Sequence, residues 1–147
     1  MMRLIMKKTD DYEGLVDFFI ANDLEFNEDD KVDTDIVGCW KIVHGEEEHL
    51  VGAIVLGKRL GAFIVDGIAV DPIYRKMDVG TILLNKAIEE AKKMGATELN
   101  LVARAPEFFR KKGFKTVTFE EAPYFFDCET CPQRGTKCHP EVMKLQL

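Results

Sequence analysis

The sequence contains no long hydrophobic run. Its apolar stretches, such as VGAIVL at 51–56 and AFIV at 62–65, are far shorter than the ~20 residues that a membrane-spanning helix needs. The first residues, MMRLIMKKTDD, also lack the apolar segment and the small-residue cleavage site of a signal peptide. We therefore expect a cytoplasmic protein without a membrane partner, in a compartment where thiols are mostly reduced.

The sequence also lacks an excess of positive charge. Its 20 Lys and Arg residues are outnumbered by 26 Asp and Glu residues, which gives a net charge of -6. A broad nucleic-acid-binding surface is therefore not expected, because such surfaces are basic. No internal repeat, low-complexity tract or linker is visible, and 147 residues suit one domain with a real hydrophobic core, so we expect a single domain over 1–147.

Hydrophobic periodicity predicts strands and helices in a mixed order. Strands are predicted at 3–8, 36–43, 49–56, 62–70, 98–102, 114–119 and 142–147, and helices at 12–22, 79–94 and 106–112. The strands between 36 and 70 are joined by short connections, which indicates an antiparallel meander. The strand–helix–strand unit from 62 to 102 should be a right-handed crossover between parallel strands. The expected fold is therefore α/β, with helices packed on a mixed sheet.

The clearest helix, 79–94, carries its apolar residues along one predicted stripe. The members of the stripe are Val79, Ile82, Leu83, Ala87, Ala91 and Met94. We expect the helix to bury this stripe against the sheet and to end at Gly95. On the preceding strand, alternation predicts that Ile64, Asp66, Ile68 and Val70 share one face, where Asp66 interrupts an apolar run.

The segment YRKMDVGT, 74–81, lies between this strand and this helix. Backbone N–H groups at a helix N-terminus attract anions, and Arg75 and Lys76 add positive charge beside them. Gly80 would let a ligand approach the backbone closely. The segment has a single glycine, and Asp78 stands where another would be expected in a phosphate-binding loop. It is consistent with a pyrophosphate site or with an ordinary strand-to-helix turn.

The surrounding sequence resembles the central motif of the GNAT N-acetyltransferases. The stretch at 65–102, VDGIAVDPIYRKMDVGTILLNKAIEEAKKMGATELNLV, contains the family's Val-x-Pro-x-Tyr-Arg pattern at the end of a strand. In that family, a loop of the form Arg/Gln-x-x-Gly-x-Gly/Ala holds the pyrophosphate of acetyl-CoA, and here 75–80 reads RKMDVG. The segment EFFRKKGFKTV at 107–117 resembles the family's short helix and Gly-Phe pair. The resemblance covers roughly 35–147, and the order of elements derived above is also the family's order.

The resemblance implies a GNAT-like fold with acetyl-CoA as the acyl donor. The fold would be α/β (α+β by some schemes), with a mixed, mostly antiparallel sheet of about six to seven strands, about four helices, and a splayed parallel pair of strands at the cofactor slot. The slot would lie between 68–70 and 99–102. The residues implied in cofactor binding are Ile68, Ala69 and Val70 for the pantetheine arm, and Arg75, Lys76, Met77, Asp78, Val79, Gly80 and Thr81 for the phosphates. Asp78 tolerates the backbone turn of the missing glycine, but its carboxylate should weaken cofactor affinity.

The chemistry of acetyl transfer adds candidates. Transfer to an amine requires that the amine lose a proton and that the leaving thiolate gain one. Asp66 is either the general base or a hydrogen-bonded structural residue. Phe109 stands where many family members have the tyrosine that protonates the thiol, so it is expected to contact the cofactor or to pack in the core. Tyr124 is then the candidate acid, by residue type alone.

The segment at 126–140 holds three of the four cysteines, Cys128, Cys131 and Cys138. Their spacing is consistent with zinc ligands, with a disulfide from Cys128 to Cys131 or Cys138, or with free thiols used for packing. The segment also gives the chain a loose likeness to GNAT proteins of the N-acetylglutamate-synthase-like subgroup. In GNAT proteins the loop before the last strand often borders the acceptor site, so we expect 124–139 to shape acceptor specificity.

Together these features favour an N-acetyltransferase that moves an acetyl group from acetyl-CoA directly to the primary amine of a small molecule or amino acid. The alternative is a catalytically weak GNAT-fold module that binds acyl-CoA or senses a metal or the redox state. The missing tyrosine and Asp78 favour that alternative. The expected partner is a small-molecule amine acceptor, and association as a homodimer is the other interaction considered. Zinc at the cysteine-rich segment would be a second cofactor.

Overall fold

The computed structural model describes residues 4–21, 35–59, 61–103, 106–117 and 141–147. The strands are β1 (Leu4–Thr9), β2 (Asp35–His44), β3 (His49–Arg59), β4 (Ala62–Val70), β5 (Glu98–Ala103), β6 (Lys115–Val117) and β7 (Glu141–Gln146). The helices are α1 (Tyr12–Ala21), a 3₁₀ helix (Pro72–Met77), α2 (Val79–Lys93) and α3 (Pro106–Arg110). The predicted order of elements is confirmed. No helix within these ranges is long and apolar enough to cross a membrane.

The strands form one seven-stranded sheet in the order β1-β2-β3-β4-β5-β7-β6. Neighbouring strands are antiparallel at every position except between β4 and β5, which are parallel. The connection from β4 to β5 runs through α2, as a parallel pair requires. The predicted meander of β2, β3 and β4 and the mixed, mostly antiparallel sheet are therefore confirmed.

Helices cover both faces of the sheet. On one face, α2 and α3 pack over the larger hydrophobic cluster, to which β3 contributes Ile54 and Leu56. On the other face, Leu15 and Phe19 of α1 pack in a smaller cluster that includes Val55 of the same strand. Consecutive side chains of β3 point to opposite faces, so a run that is apolar throughout fills both clusters.

The buried face of α2 differs from the predicted stripe. Its buried residues are Val79, Leu83, Leu84, Ala87 and Ala91. Ile82 and Met94, which were predicted to be buried, are 45% and 46% exposed. Successive residues of an α-helix are rotated by about 100°, which places Ile82 on the side opposite to the buried residues. Met94 is the C-cap residue of the helix, and Gly95 follows it with the expected positive φ of 85°.

Truncation of a side chain on the buried face of α2 should reduce stability much more than truncation on its exposed face. We expect Leu84→Ala to lower the free energy of unfolding by about 2–5 kcal/mol, because Leu84 is fully buried and its loss leaves a cavity. Ile82→Ala is the matched control on the same helix and should change the free energy by less than about 0.5 kcal/mol. Urea denaturation followed by circular dichroism measures both. Equal effects of the two substitutions would contradict this orientation of α2.

Candidate active site

A wedge-shaped gap opens between β4 and β5. The two strands are paired at one position only, Ile64 with Asn100. Beyond it, β4 stays paired with β3 as far as Val70, and β5 stays paired with β7 as far as Ala103. A cavity of about 800 Å³ occupies the gap and is lined by both strands, by the segment before α2 and by α3. The expected splayed pair is therefore present.

Asn100 marks the point where the gap begins. Its side chain is completely buried, and its Nδ2 donates a hydrogen bond of 3.3 Å to the backbone oxygen of Phe63 in β4. A side-chain bond thus joins the two strands beside their single backbone pairing. The Nδ2 bond joins the strands where they separate, whereas the buried Oδ1 of the same amide has no hydrogen-bond partner among the described residues.

The segment between β4 and α2 is fastened to the sheet at several points. The carboxylate of Asp71 caps the 3₁₀ helix by accepting from the backbone N–H of Ile73 at 3.0 Å. Tyr74 is buried, and its Oη lies 2.9 Å from Nδ1 of His44 at the end of β2. The Nε of Arg75 donates to the backbone oxygen of Val70 at 3.2 Å. These bonds hold the segment in one shape before any ligand arrives.

Asp78 takes the left-handed backbone conformation expected of it. Its φ is 58° and its ψ is 21°. Glycine adopts this conformation without strain, and aspartate is one of the few other residues that tolerate it. Although Asp78 is the N-cap residue of α2, its side chain makes no capping hydrogen bond and lines the cavity instead. The backbone turn therefore survives the loss of glycine, while a carboxylate is added beside the helix N-terminus.

The N-terminus of α2 lies close against the sheet. Val79 is fully buried, and a Cβ atom added to Gly52 of β3 would lie 2.9 Å from Cγ1 of Val79. A larger residue at position 52 would push the helix start outward. Gly80 and Thr81 line the cavity in the first turn of α2, where backbone N–H groups have no acceptor within the helix. This end of the cavity is thus suited to an anion.

Helix α3 forms the wall opposite α2. Phe108 and Phe109 both line the cavity, and their rings meet edge to face with centroids 5.0 Å apart. Phe109 is also buried against Phe114, at 5.6 Å between centroids. Phe109 therefore belongs both to the cavity wall and to the core. Lys111 and Lys112, in the turn after α3, line the same wall, so this wall adds two positive charges to the one from Arg75.

Asp66 lies in a β-bulge of β4. Val55 of β3 pairs with Gly67 and Leu56 pairs with Val65, which leaves Asp66 as the extra residue. The prediction that Ile64, Asp66, Ile68 and Val70 share one face is wrong, because the bulge reverses the alternation. Ile68 and Val70 pack with the cluster under α2, whereas Asp66 is on the side of α1. There its Oδ2 accepts a hydrogen bond of 2.9 Å from the hydroxyl of Tyr12.

Cys39 of β2 is close to this pair. Its side chain is buried in the cluster with Leu15 and Phe19 of α1. Burial raises the pKa of the Cys39 thiol above its ordinary value, and the negative charges of Asp66 and Asp10 raise it further, while Lys8 opposes them. The thiol is therefore kept protonated and neutral at physiological pH.

Most of the implied cofactor residues come together, but not all. Those that line the cavity are Ile68, Ala69, Val70, Arg75, Asp78, Gly80, Thr81 and Phe109, and the catalytic candidate Asp66 lines it with them. Lys76 and Met77 are exposed on the 3₁₀ helix and Val79 is buried in the core, so these three are not part of the lining. Tyr124, Cys128, Cys131 and Cys138 lie outside the described residues. Within the described ranges, no group of three or more His, Cys, Asp or Glu side chains could hold a metal ion.

Four residues were missed by sequence reasoning. Phe108, Lys111 and Lys112 line the cavity. All three fall within the helix predicted at 106–112, which in the structure ends at Arg110, and the direction of their side chains was not visible in the sequence. Tyr12 contacts Asp66 across 54 residues of sequence, and no local signal connects the two.

Comparisons with known proteins agree with this architecture. Residues 8–114 match the sequence model of the acetyltransferase (GNAT) family. Among solved structures, a GNAT-family acetyltransferase from Staphylococcus aureus Mu50 is 17% identical, with a TM-score of 0.72, 100% of this chain and 99% of that chain covered. The ribosomal-protein-S18-alanine N-acetyltransferase from Escherichia coli is 16% identical, with a TM-score of 0.63 and coverage of 98% and 94%.

A third structure is the N-acetylglutamate synthase from Neisseria gonorrhoeae, complexed with coenzyme A and N-acetyl-glutamate. It is 16% identical, with a TM-score of 0.69 over 100% of this chain but only 35% of that larger chain. At these identities the likeness concerns the fold. A search of curated proteins found no significant match.

The environment of Cys39 predicts that its thiol reacts slowly with alkylating reagents. We expect iodoacetamide to modify Cys39 in the native protein at least about a hundredfold more slowly than in urea, because the thiol is buried and its raised pKa keeps the thiolate scarce. Because the pKa of Cys39 is higher in the folded protein than in the unfolded chain, this residue stabilises the fold at pH values below its pKa in the unfolded chain. The contribution is lost as the pH rises through its pKa in the folded protein. Mass spectrometry of the Cys39 peptide measures the rate. Rapid labelling of the folded protein at pH 7 would contradict this placement.

Proposed function

The chain belongs to the GNAT acetyltransferase family and is an acyltransferase, and from that premise we propose that it transfers the acetyl group of acetyl-CoA directly to the primary amine of a small molecule or amino acid. The observation that carries the proposal is the cavity between β4 and β5. It joins an anion-binding helix N-terminus at one end to a half-buried carboxylate, Asp66, on its strand wall. A long ligand with a phosphate end and a reactive end fits this distribution of groups.

The cofactor would lie along the splayed strand. After Ile64, the edge of β4 that faces β5 has no strand partner among the described residues, so its backbone groups can bond to an extended ligand as they would to another strand. The pantetheine arm would follow Ile68 to Val70. The pyrophosphate would bind the N–H groups at Gly80 and Thr81, with Arg75 beside them. Lys111 and Lys112 add positive charge for the same anionic ligand.

Direct transfer needs a base and an acyl acceptor but no covalent enzyme intermediate. The amine nitrogen, once deprotonated, attacks the thioester carbonyl carbon. The nitrogen of the tetrahedral intermediate then loses a second proton to water, and the C–S bond breaks as the CoA thiolate leaves with the electron pair. Asp66 would accept the proton from the amine, directly or through water. Phe109 has no proton to give the thiolate, so that proton would come from water or from another side chain such as Tyr124.

Phe109 also favours a second candidate function, binding of acyl-CoA with weak turnover. Its ring fills the wall where a proton donor would be needed, and it is 6% exposed and packed between Phe108 and Phe114. A protein of this kind would bind acetyl-CoA as tightly as an enzyme but would release little free thiol.

Two measurements test these functions. Acetyl-CoA should raise the melting temperature, because a ligand at 100 times its Kd stabilises the folded state by about 2.7 kcal/mol. Release of free CoA thiol in the presence of a library of primary amines should identify acceptors. Asp66→Asn should abolish most of the release, while Asp17→Asn, a matched substitution of an exposed carboxylate on α1, should leave it unchanged.

The outcomes separate the candidates. No thermal shift at millimolar acetyl-CoA would overturn both functions. A shift without thiol release for any amine would overturn the transferase and support the binding module. Thiol release that survives in Asp66→Asn would reject Asp66 as the base.

Asp78 predicts a change in cofactor affinity. We expect Asp78→Asn to lower the Kd for acetyl-CoA about two- to fivefold. The substitution removes a negative charge that competes with the phosphates at the helix N-terminus, where such a charge is worth ~0.3–1 kcal/mol. Asp78→Gly should lower it by a similar factor, because it removes the same carboxylate and glycine keeps the φ of 58° without strain. Isothermal titration calorimetry measures both variants, and the gain should shrink at high salt. Unchanged affinity in both variants would show that the carboxylate faces away from the phosphates.

A further inference from the structure

One hydrogen bond connects the strand wall of the cavity to the helix on the other side of the sheet. The hydroxyl of Tyr12, in the first turn of α1, donates to Oδ2 of Asp66 at 2.9 Å. The two residues are 54 positions apart in sequence, and the bond is partly buried. It is therefore a specific tertiary contact rather than a local turn.

The bulge and this bond together fix the carboxylate. Asp66 points toward α1, as alternation from Phe63 and Val65 requires, and the bulge reverses the alternation immediately after it. The bond then holds one of its two oxygens. A carboxylate that is attached through its own backbone and through one oxygen cannot rotate freely, so the position of the second oxygen is also set. Bulges are often found next to active sites, and in this one Asp66 is the extra residue of β4.

We propose that Tyr12 is a positioning residue for acetyl transfer, because its hydroxyl holds Asp66 in the orientation in which the carboxylate accepts a proton from the acceptor amine. The inference rests on the proposed function, in which Asp66 is the base. Tyr12 is assigned no contact with the substrate and acts through Asp66. A hydrogen bond to the ionised form of a carboxyl group also stabilises that form, so Tyr12 would help to keep Asp66 charged in a half-buried place.

The other charged and titratable groups around Asp66 come from several elements. From β2, Cys39 faces it as a neutral thiol, and the segment before α1 brings Asp10 and Lys8 near that thiol. The charged side chains elsewhere in the cavity lining are Arg75, Asp78, Lys111 and Lys112. Tyr12→Phe leaves these described groups in place and removes only the hydroxyl, so we expect a changed titration of Asp66 from the lost hydrogen bond.

The test compares Tyr12→Phe with the unmodified protein. First, a pH titration of the ¹³C-labelled aspartate carboxyl groups, with Asp66→Asn to assign the signal, reports the pKa of Asp66 without any need for turnover. We expect the pKa of Asp66 to be higher in Tyr12→Phe, because the charged form loses a donor. Second, kcat should fall on the order of tenfold through misplacement of the base, while the KM for acetyl-CoA and its thermal shift stay unchanged. The acidic limb of the kcat/KM profile should move upward in pH.

Two further variants separate positioning from a merely structural effect. In the Asp66→Asn background, Tyr12→Phe should have no additional effect on kcat, since Tyr12 acts through Asp66. Val16→Ala trims a half-buried side chain on the same helix and leaves the Tyr12 hydroxyl in place. It should change neither the titration of Asp66 nor the pH profile. If Val16→Ala reproduces the profile of Tyr12→Phe, loosening of α1 is the cause and the proposal is wrong.

Failure of this inference can be distinguished from failure of the proposed function. An unchanged Asp66 titration in Tyr12→Phe, in a protein that releases thiol normally, overturns the role of Tyr12 alone. A protein that shows the expected titration but releases no thiol with any amine overturns the transferase and the positioning role together. A raised pKa together with a slower kcat and a shifted acidic limb supports both.

Discussion

The candidate site depends on a constraint of backbone pairing. β4 is bonded to β3 along its whole length and β5 is bonded to β7 along its own, yet the two strands are paired with each other only at Ile64 and Asn100. The antiparallel partners carry each strand away from the other after that point. The sheet remains continuous on both sides, so the gap forms without loss of the core. The buried amide of Asn100, bonded to β4, lies where the separation begins.

The rest of the site follows from where this gap lies. The crossover from β4 to β5 must begin at the carboxyl end of β4, which is also the open end of the gap, so the N-terminus of α2 faces the cavity. Gly52 lets that end of the helix approach the sheet, because a side chain there would meet Val79. α3 follows β5 closely in sequence and covers the opposite side. One opening in the sheet thus places a helix N-terminus, two cationic walls and the bulged Asp66 around the same cavity.

Sequence reasoning recovered the features that local chemistry determines. The order of elements, the left-handed Asp78 and the end of α2 at Gly95 follow from propensities that act within a few residues. It failed where the outcome depends on a distant partner. The bulge at Asp66 requires knowledge of the register with β3, and strict alternation gave the wrong face for Ile68. The set of α2 residues that are buried and the contact of Tyr12 with Asp66 likewise depend on tertiary packing. Hydrophobic periodicity along the sequence does not predict either of them.

In the proposed reaction, the proton balance makes a base, the role proposed for Asp66, more important than an acid at position 109. An alkyl amine with a pKa near 10.4 costs about 4.6 kcal/mol to deprotonate at pH 7, whereas a thiol with a pKa near 8.5 costs only about 2 kcal/mol to leave as the thiolate. A positioned base would act on the proton transfer with the larger cost, whereas a phenylalanine in place of an acid affects the transfer with the smaller cost. For an α-amino acceptor, with a pKa near 8, the cost of deprotonation falls to about 1.4 kcal/mol. The need for a precisely held Asp66 is thus greatest for an acceptor with an alkyl amine.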